Sequence, residues 1–114
     1  MKTTHEMNLQ PGPFNMIKSG RKTVEMRLYD EKRQRIKKGD RILFRSAENG
    51  DELLVKVEET IVYPDFSALY SAHNKASIGY LDDEVANPSD MLVYYSEGDV
   101  ARYGALAIVV SLVN

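Results

Sequence analysis

The spacing of apolar residues changes period several times along this chain, and each change marks an element. Thr3 to Leu9 is expected to form a first strand, ended by the turn-prone Gln10-Pro11-Gly12-Pro13. Pro13 suits the first turn of a short helix with Phe14, Met16 and Ile17 on its apolar face, and Gly20 stops that helix as a C-terminal cap. Thr23 to Tyr29 then returns to a period of two. Val24, Met26 and Leu28 fall on one face, and Thr23, Glu25, Arg27 and Tyr29 on the other.

A charged connector, Asp30 to Lys38, leads through the Gly39-Asp40 turn into an apolar strand, Arg41 to Arg45. Asn49-Gly50 predicts a hairpin turn before the long strand Glu52 to Tyr63, in which Leu53, Val55 and Val57 alternate with Leu54, Lys56 and Glu58. Asp65 or Ser67 can cap a helix through Phe66, Leu69 and Tyr70, and Asn87-Pro88 opens another carrying Met91, Leu92 and Tyr95. Leu106 to Val113 is apolar throughout, as in a strand covered on both faces. Five strands with helices inserted irregularly predict an α+β fold, a small and mostly antiparallel sheet or barrel.

The 114 residues, 43% of them hydrophobic, are expected to form one domain spanning 1–114. No run approaches the roughly 18 apolar residues of a membrane span, and the N-terminal residues lack the apolar core of a signal peptide, so a cytoplasmic protein without a membrane partner is expected. The absence of cysteine excludes disulfides, thiolate metal sites and a cysteine nucleophile. His5 and His73 have no partner at metal-ligand spacing in the sequence. His5 is expected to be a satisfied structural histidine or an exposed one, and His73 to be solvated; no metal or cofactor is expected.

The net charge of −2 conceals a division. Residues 18–45 carry eleven basic side chains against four acidic, whereas residues 46–114 carry three against twelve. Such asymmetry suits a surface that meets phosphate, although a solvated basic connector has the same composition. The basic part opens with Gly20-Arg21-Lys22-Thr23-Val24-Glu25-Met26-Arg27, a charge pattern without use in a core strand. Glu25, close to Arg27, is expected to stay ionised and to act as an acceptor for the edge of an unpaired base. Lys22 and Arg27 suit phosphate, and a structural ion pair is the competing reading. Strict alternation sets Lys22 on the face of Val24, away from Glu25. Lys32, Arg33 and Arg35 form a second candidate, a mobile basic arm able to follow a sugar-phosphate backbone. Tyr29 extends the Glu25 face as a stacking platform, with Tyr94, Tyr95 and Tyr103 as others, Tyr95 being more suited to the core.

The octapeptide resembles the G-x-K-x-x-E-x-R signature of the ASCH (activating-signal cointegrator homology) domain. The likeness extends through His5-Glu6-Met7-Asn8-Leu9 and Pro13-Phe14 before it, and through Leu28-Tyr29-Asp30-Glu31, Gly39-Asp40, Asp90-Met91 and Tyr94-Tyr95-Ser96 after it. Nearly the whole chain is similar to the small stand-alone bacterial branch of that family. The resemblance implies a PUA-like β-barrel with a cleft holding the signature residues, Lys22 included, and a role in binding single-stranded RNA or a nucleotide-like small molecule. The expected ligand-binding set is therefore Arg21, Lys22, Glu25, Arg27, Tyr29, Lys32, Arg33 and Arg35.

Catalysis is the alternative. Some small ASCH-like proteins are amidohydrolases acting on acylated cytidine, in which a threonine three residues after the lysine is the nucleophile. Here Glu25 holds that place and Thr23 adjoins the lysine, and a carboxylate does not replace a hydroxyl in acyl transfer. A metal-independent ribonuclease with Glu25 as base and Lys22 as charge stabiliser is the other enzymatic reading. Val109, Val110 and Val113 fit either a core or a second subunit, so a monomer or weak dimer is expected.

Overall fold

In a computed structural model that describes residues 2–113, the chain runs β1 (Thr4–Leu9), α1 (Pro11–Lys18), β2 (Val24–Leu28), β3 (Arg41–Ser46), β4 (Glu52–Tyr63), α2 (Phe66–Ala72), α3 (Glu97–Tyr103) and β5 (Ala105–Leu112). Two 3-10 turns, Arg33–Arg35 and Pro88–Val93, lie in the connections. The strands join in the order β1-β3-β4-β5-β2, and only the β1–β3 pair is parallel. This mixed sheet curls into a half-barrel, with β1 and β2 left as its two edges. Among the described residues no helix is long and apolar enough to cross a membrane.

Turn chemistry falls where the sequence places it. Gly20, Gly39 and Gly50 all have positive φ, a region open to glycine without steric penalty. Asp65 caps α2 by accepting from the Ala68 N–H at 2.8 Å, and Asn87 accepts from the Ser89 N–H at 3.0 Å. The basic connector is a folded turn, not a mobile arm. Asp30 accepts from both the backbone and the guanidinium of Arg33, at 3.1 and 2.7 Å, while Ile36 is buried in the core.

Alternation gives the sheet two apolar faces. Leu106, Ile108 and Val110 of β5 join Ile42, Phe44 and Val55 beneath α1, whose buried residues are Phe14 and Ile17. Ala105 and Ala107, with Val24, Met26 and Leu28 of β2, pack on the opposite side against Phe66, Leu69 and Val100. β5 is thus covered on both faces, as its continuous apolar run requires. It is entered through Gly104, at φ 84° and ψ 179°. A Cβ added there would stand 2.8 Å from the Tyr63 carbonyl oxygen.

Neither histidine is free. His73 is half-buried, not solvated, its Nε2 lying 2.9 Å from the Tyr63 hydroxyl. His5 Nε2 lies 2.9 Å from Asp40, which also accepts from the Lys37 and Thr3 N–H groups at 3.0 and 3.3 Å. Burial alone would raise the Asp40 carboxyl, but the hydrogen bonds from His5, Lys37 and Thr3 hold it below the ordinary 3.8. A depressed acid stabilises the fold above its unfolded value, and the contribution disappears as pH falls through the folded one. Urea midpoints measured from pH 7 to pH 3 are expected to fall below about pH 4. Asp40→Asn should remove about 1 to 3 kcal/mol at pH 7 and flatten part of that acid slope; an unchanged slope would contradict this account.

Candidate functional site

β2 belongs to the sheet edge, and its unpaired side faces a cleft of about 700 Å³. One wall comes from β1 and the start of α1, including Asn8, Pro13 and Met16. The other comes from the 70–95 segment, including Tyr70, Gly79, Tyr80 and Tyr94. Lys22, Glu25, Met26 and Arg27 line it from β2 and the residues leading into that strand.

Glu25 is only 3% exposed and Lys22 6%. Their side chains meet at 2.7 Å, Lys22 Nζ donating to Glu25 Oε1. Arg27 donates to the other oxygen through Nε at 3.0 Å and Nη2 at 2.9 Å. The Met26 N–H completes the set on Oε1 at 3.2 Å. A carboxylate has about four acceptor positions, so Glu25 has none left for a ligand. Burial would raise its carboxyl, but the Lys22 and Arg27 charges and hydrogen bonds outweigh burial and hold it below the ordinary 4.5. Glu25 is therefore an ionised anchor, and the expected acceptor for a base edge is already filled.

What the cluster leaves open is the ammonium. Lys22 has three N–H donors and gives one to Glu25, so two remain without a protein partner among the described residues. Alternation had set Lys22 on the wrong face, and the backbone shows why. The consecutive N–H groups of Thr23 and Val24 both donate to the Ser77 carbonyl, at 3.0 and 2.9 Å. Such pairing is incompatible with a regular pleat, so the parity established from Val24 onward does not extend back to Lys22. The Lys22 N–H is tied to the Met16 carbonyl at the end of α1, and a Cβ on Gly79 would come within 3.1 Å of the lysine Cδ. The alkyl stem is thus gripped between two segments.

Arg27 also reaches across the open side of the sheet. Its Nη2 donates to the Asn8 carbonyl of β1 at 3.0 Å, joining the two edge strands by a side chain where no ladder exists. Elsewhere in the lining of the cleft, the Tyr80 hydroxyl donates to Asp90 at 2.6 Å and lies 2.9 Å from that of Tyr70. Burial first, then hydrogen bonding to Asp90 and Tyr70, pushes the Tyr80 phenol far above the usual tyrosine range. It remains protonated and presents a fixed polar pole.

The other sequence candidates scatter. Tyr29 does not stand beside Glu25 at the cleft; β2 ends at Leu28, and the tyrosine ring packs against the core beneath α1. Arg21 and Arg35 are exposed and line no part of the cleft. Lys32 and Arg33 line a separate cavity. Tyr103 is bonded to Glu31 away from the cleft. Tyr95 lines the cleft while stacking on Phe66, 6.0 Å between centroids and 6° between planes. Tyr70, Tyr80 and Gly79 were missed because no local pattern links them to a lysine more than forty residues earlier.

A curled, mixed five-stranded sheet with short inserted helices is the PUA-like architecture. The chain belongs to the ASCH domain family, whose model matches residues 7–114. Among solved structures it is similar to the hypothetical protein PH0355 (33% identity, 97% of this chain and 100% of that one, TM-score 0.82). It is also similar to protein PF0455 from Pyrococcus furiosus (32% identity, 98% and 99%, TM-score 0.75). A mutant form of ZmASCH from Zymomonas mobilis shares the fold at 18% identity, with 96% of this chain covering 68% of that one and a TM-score of 0.66. No curated protein matches the chain.

Proposed function

We propose that the cleft binds an unpaired base of single-stranded RNA or of a nucleotide, with Lys22 as the polar contact. The observation that carries this reading is the Lys22 ammonium, buried against a saturated carboxylate with two donors unused. Such a donor complements the carbonyl oxygens of bases. The volume suits a small organic group, and Tyr94, 64% exposed at the rim, offers a ring for stacking. The role in RNA binding implied by the ASCH signature points the same way.

Hydrolysis is less well supported. A ribonuclease built on this site needs a general base, and Glu25 is held ionised with every lone pair engaged. Thr23, the nearest hydroxyl in sequence, is exposed and does not line the cleft.

The test is fluorescence anisotropy with a short random single-stranded RNA, beside gel analysis of the same RNA after long incubation in chelator. Lys22→Met keeps the alkyl volume, and it is expected to weaken binding by about tenfold or more, the loss of one charged hydrogen-bond donor. The RNA should remain intact. Wild-type affinity in Lys22→Met sinks the proposal, and cleavage that stops in that variant moves it to the enzymatic reading.

A further inference from the structure

Arg27 and Asn8 face two cavities. Besides the cleft, they line a second hollow of about 340 Å³, whose other walls include Lys32, Arg33, Arg45 and Glu6. The connector after β2 brings Lys32 and Arg33 to this place, and β3 brings Arg45. Four cations and a single carboxylate therefore line one small space. Each arginine is also shared with an acid. Arg33 donates to Asp30 at 2.7 Å, and Arg45 donates to Glu52 at 2.7 Å and Glu6 at 3.2 Å. Asp30 and Glu52 do not line the hollow, so on its inner side the cations remain in excess.

One buried donor of a lining side chain lacks a partner among the described residues. The Nε of Arg33 is buried and donates to nothing, although the same side chain is anchored through its Nη1. That Nε is closed to solvent and is not itself a contact for an incoming ion, so an anion in the hollow would be held by the accessible parts of the four cations that converge on it.

We infer that this hollow seats a phosphate group, the phosphate of the ligand whose base enters the cleft on the other side of Arg27. The assignment rests on the base-binding reading for its second half. The anion site stands on its own residues. It separates the basic positions of the connector by function, since Lys32 and Arg33 line the hollow, whereas Arg35 and Arg21 do not. It also adds Arg45, which the sequence pattern did not single out. The ligand class becomes a nucleotide or a strand end, not a free nucleoside.

The experiment follows the arginine Nε–Hε signals by two-dimensional NMR while inorganic phosphate is added, with sodium chloride at matched ionic strength as the control. The Arg33 signal is expected to move and saturate with phosphate alone. Arg45→Gln, at a side chain already exposed in part, should weaken that response about fivefold or more, as loss of one charged donor does. A second arm compares uridine with uridine monophosphate bearing its phosphate at the 3′ or the 5′ position. At least one nucleotide should bind about tenfold tighter than uridine, an advantage that Arg45→Gln removes. An Arg33 signal that follows chloride and phosphate alike, or nucleotides no tighter than uridine when uridine binds, overturns the inference and leaves base binding standing. Saturable phosphate binding with no response to uridine or either nucleotide keeps the anion site and counts against the base-binding reading.

Discussion

Glu25→Gln is expected to lower the unfolding free energy by about 3 to 5 kcal/mol, the range for breaking a buried ion pair from one side. The carboxylate is the common partner of two cations, 2.7 Å from Lys22 and 2.9 Å from Arg27, and all three side chains are largely withdrawn from water. Removing its charge leaves two like charges near each other without compensation. The amide keeps one oxygen to accept with and turns an N–H2 group toward donors. Urea denaturation at pH 7 measures the loss, and a change under 1 kcal/mol would show that water reaches the cluster and screens it. The triple variant Lys22→Met, Glu25→Leu, Arg27→Met separates stability from function. Apolar groups of similar volume often match or exceed a buried ionic cluster in stability. This protein should therefore regain most of what Glu25→Gln loses and still fail to bind RNA.

Gly104→Ala is expected to be comparably damaging for a purely steric reason. With φ 84° and ψ 179° the residue occupies a region essentially restricted to glycine, which alone costs about 1 to 3 kcal/mol for any other residue. The added methyl would also meet the Tyr63 carbonyl oxygen at 2.8 Å. That oxygen cannot simply withdraw, because Tyr63 is paired with Ala105 in the β4–β5 ladder. Overpacking contributes a further 1 to 3 kcal/mol, so together these effects predict a loss of about 2 to 6 kcal/mol. Thermal unfolding would test it, and Gly12→Ala, where a Cβ meets nothing within 4 Å, serves as the control. Equal melting temperatures for the two variants would refute the argument.

Elements with local causes were legible in the sequence. The span Glu52–Tyr63 is the same in sequence and structure, and the cap at Asp65 and the positive-φ glycines follow from residue chemistry. Helix α3 was missed although Ser96 accepts from the Asp99 N–H at 3.1 Å, because only Val100 is buried and seven residues carry too little apolar periodicity. The site divided along the same line. Glu25 and Arg27 were placed together by alternation within one strand. Lys22 was not, because its position depends on Ser77 and Gly79, which reach it through the fold. Of the basic side chains in 18–45, only Arg45 with Glu52 and Lys38 with Glu59 pair with an acid of the 46–114 remainder among the described residues, so most of the basic excess is kept in the fold.

The gap between β1 and β2 has a consequence for how occupancy would register in the molecule. Backbone pairing ceases there, and among the described residues a guanidinium bridge from Arg27 to Asn8 spans the opening. Anything lodged against that bridge becomes part of the wall, so a bound ligand would act as a sixth structural member and stiffen both edge strands at once. Slower amide exchange in β1 and β2, which are far apart in the sheet order, would then report a filled site even for a ligand of unknown identity.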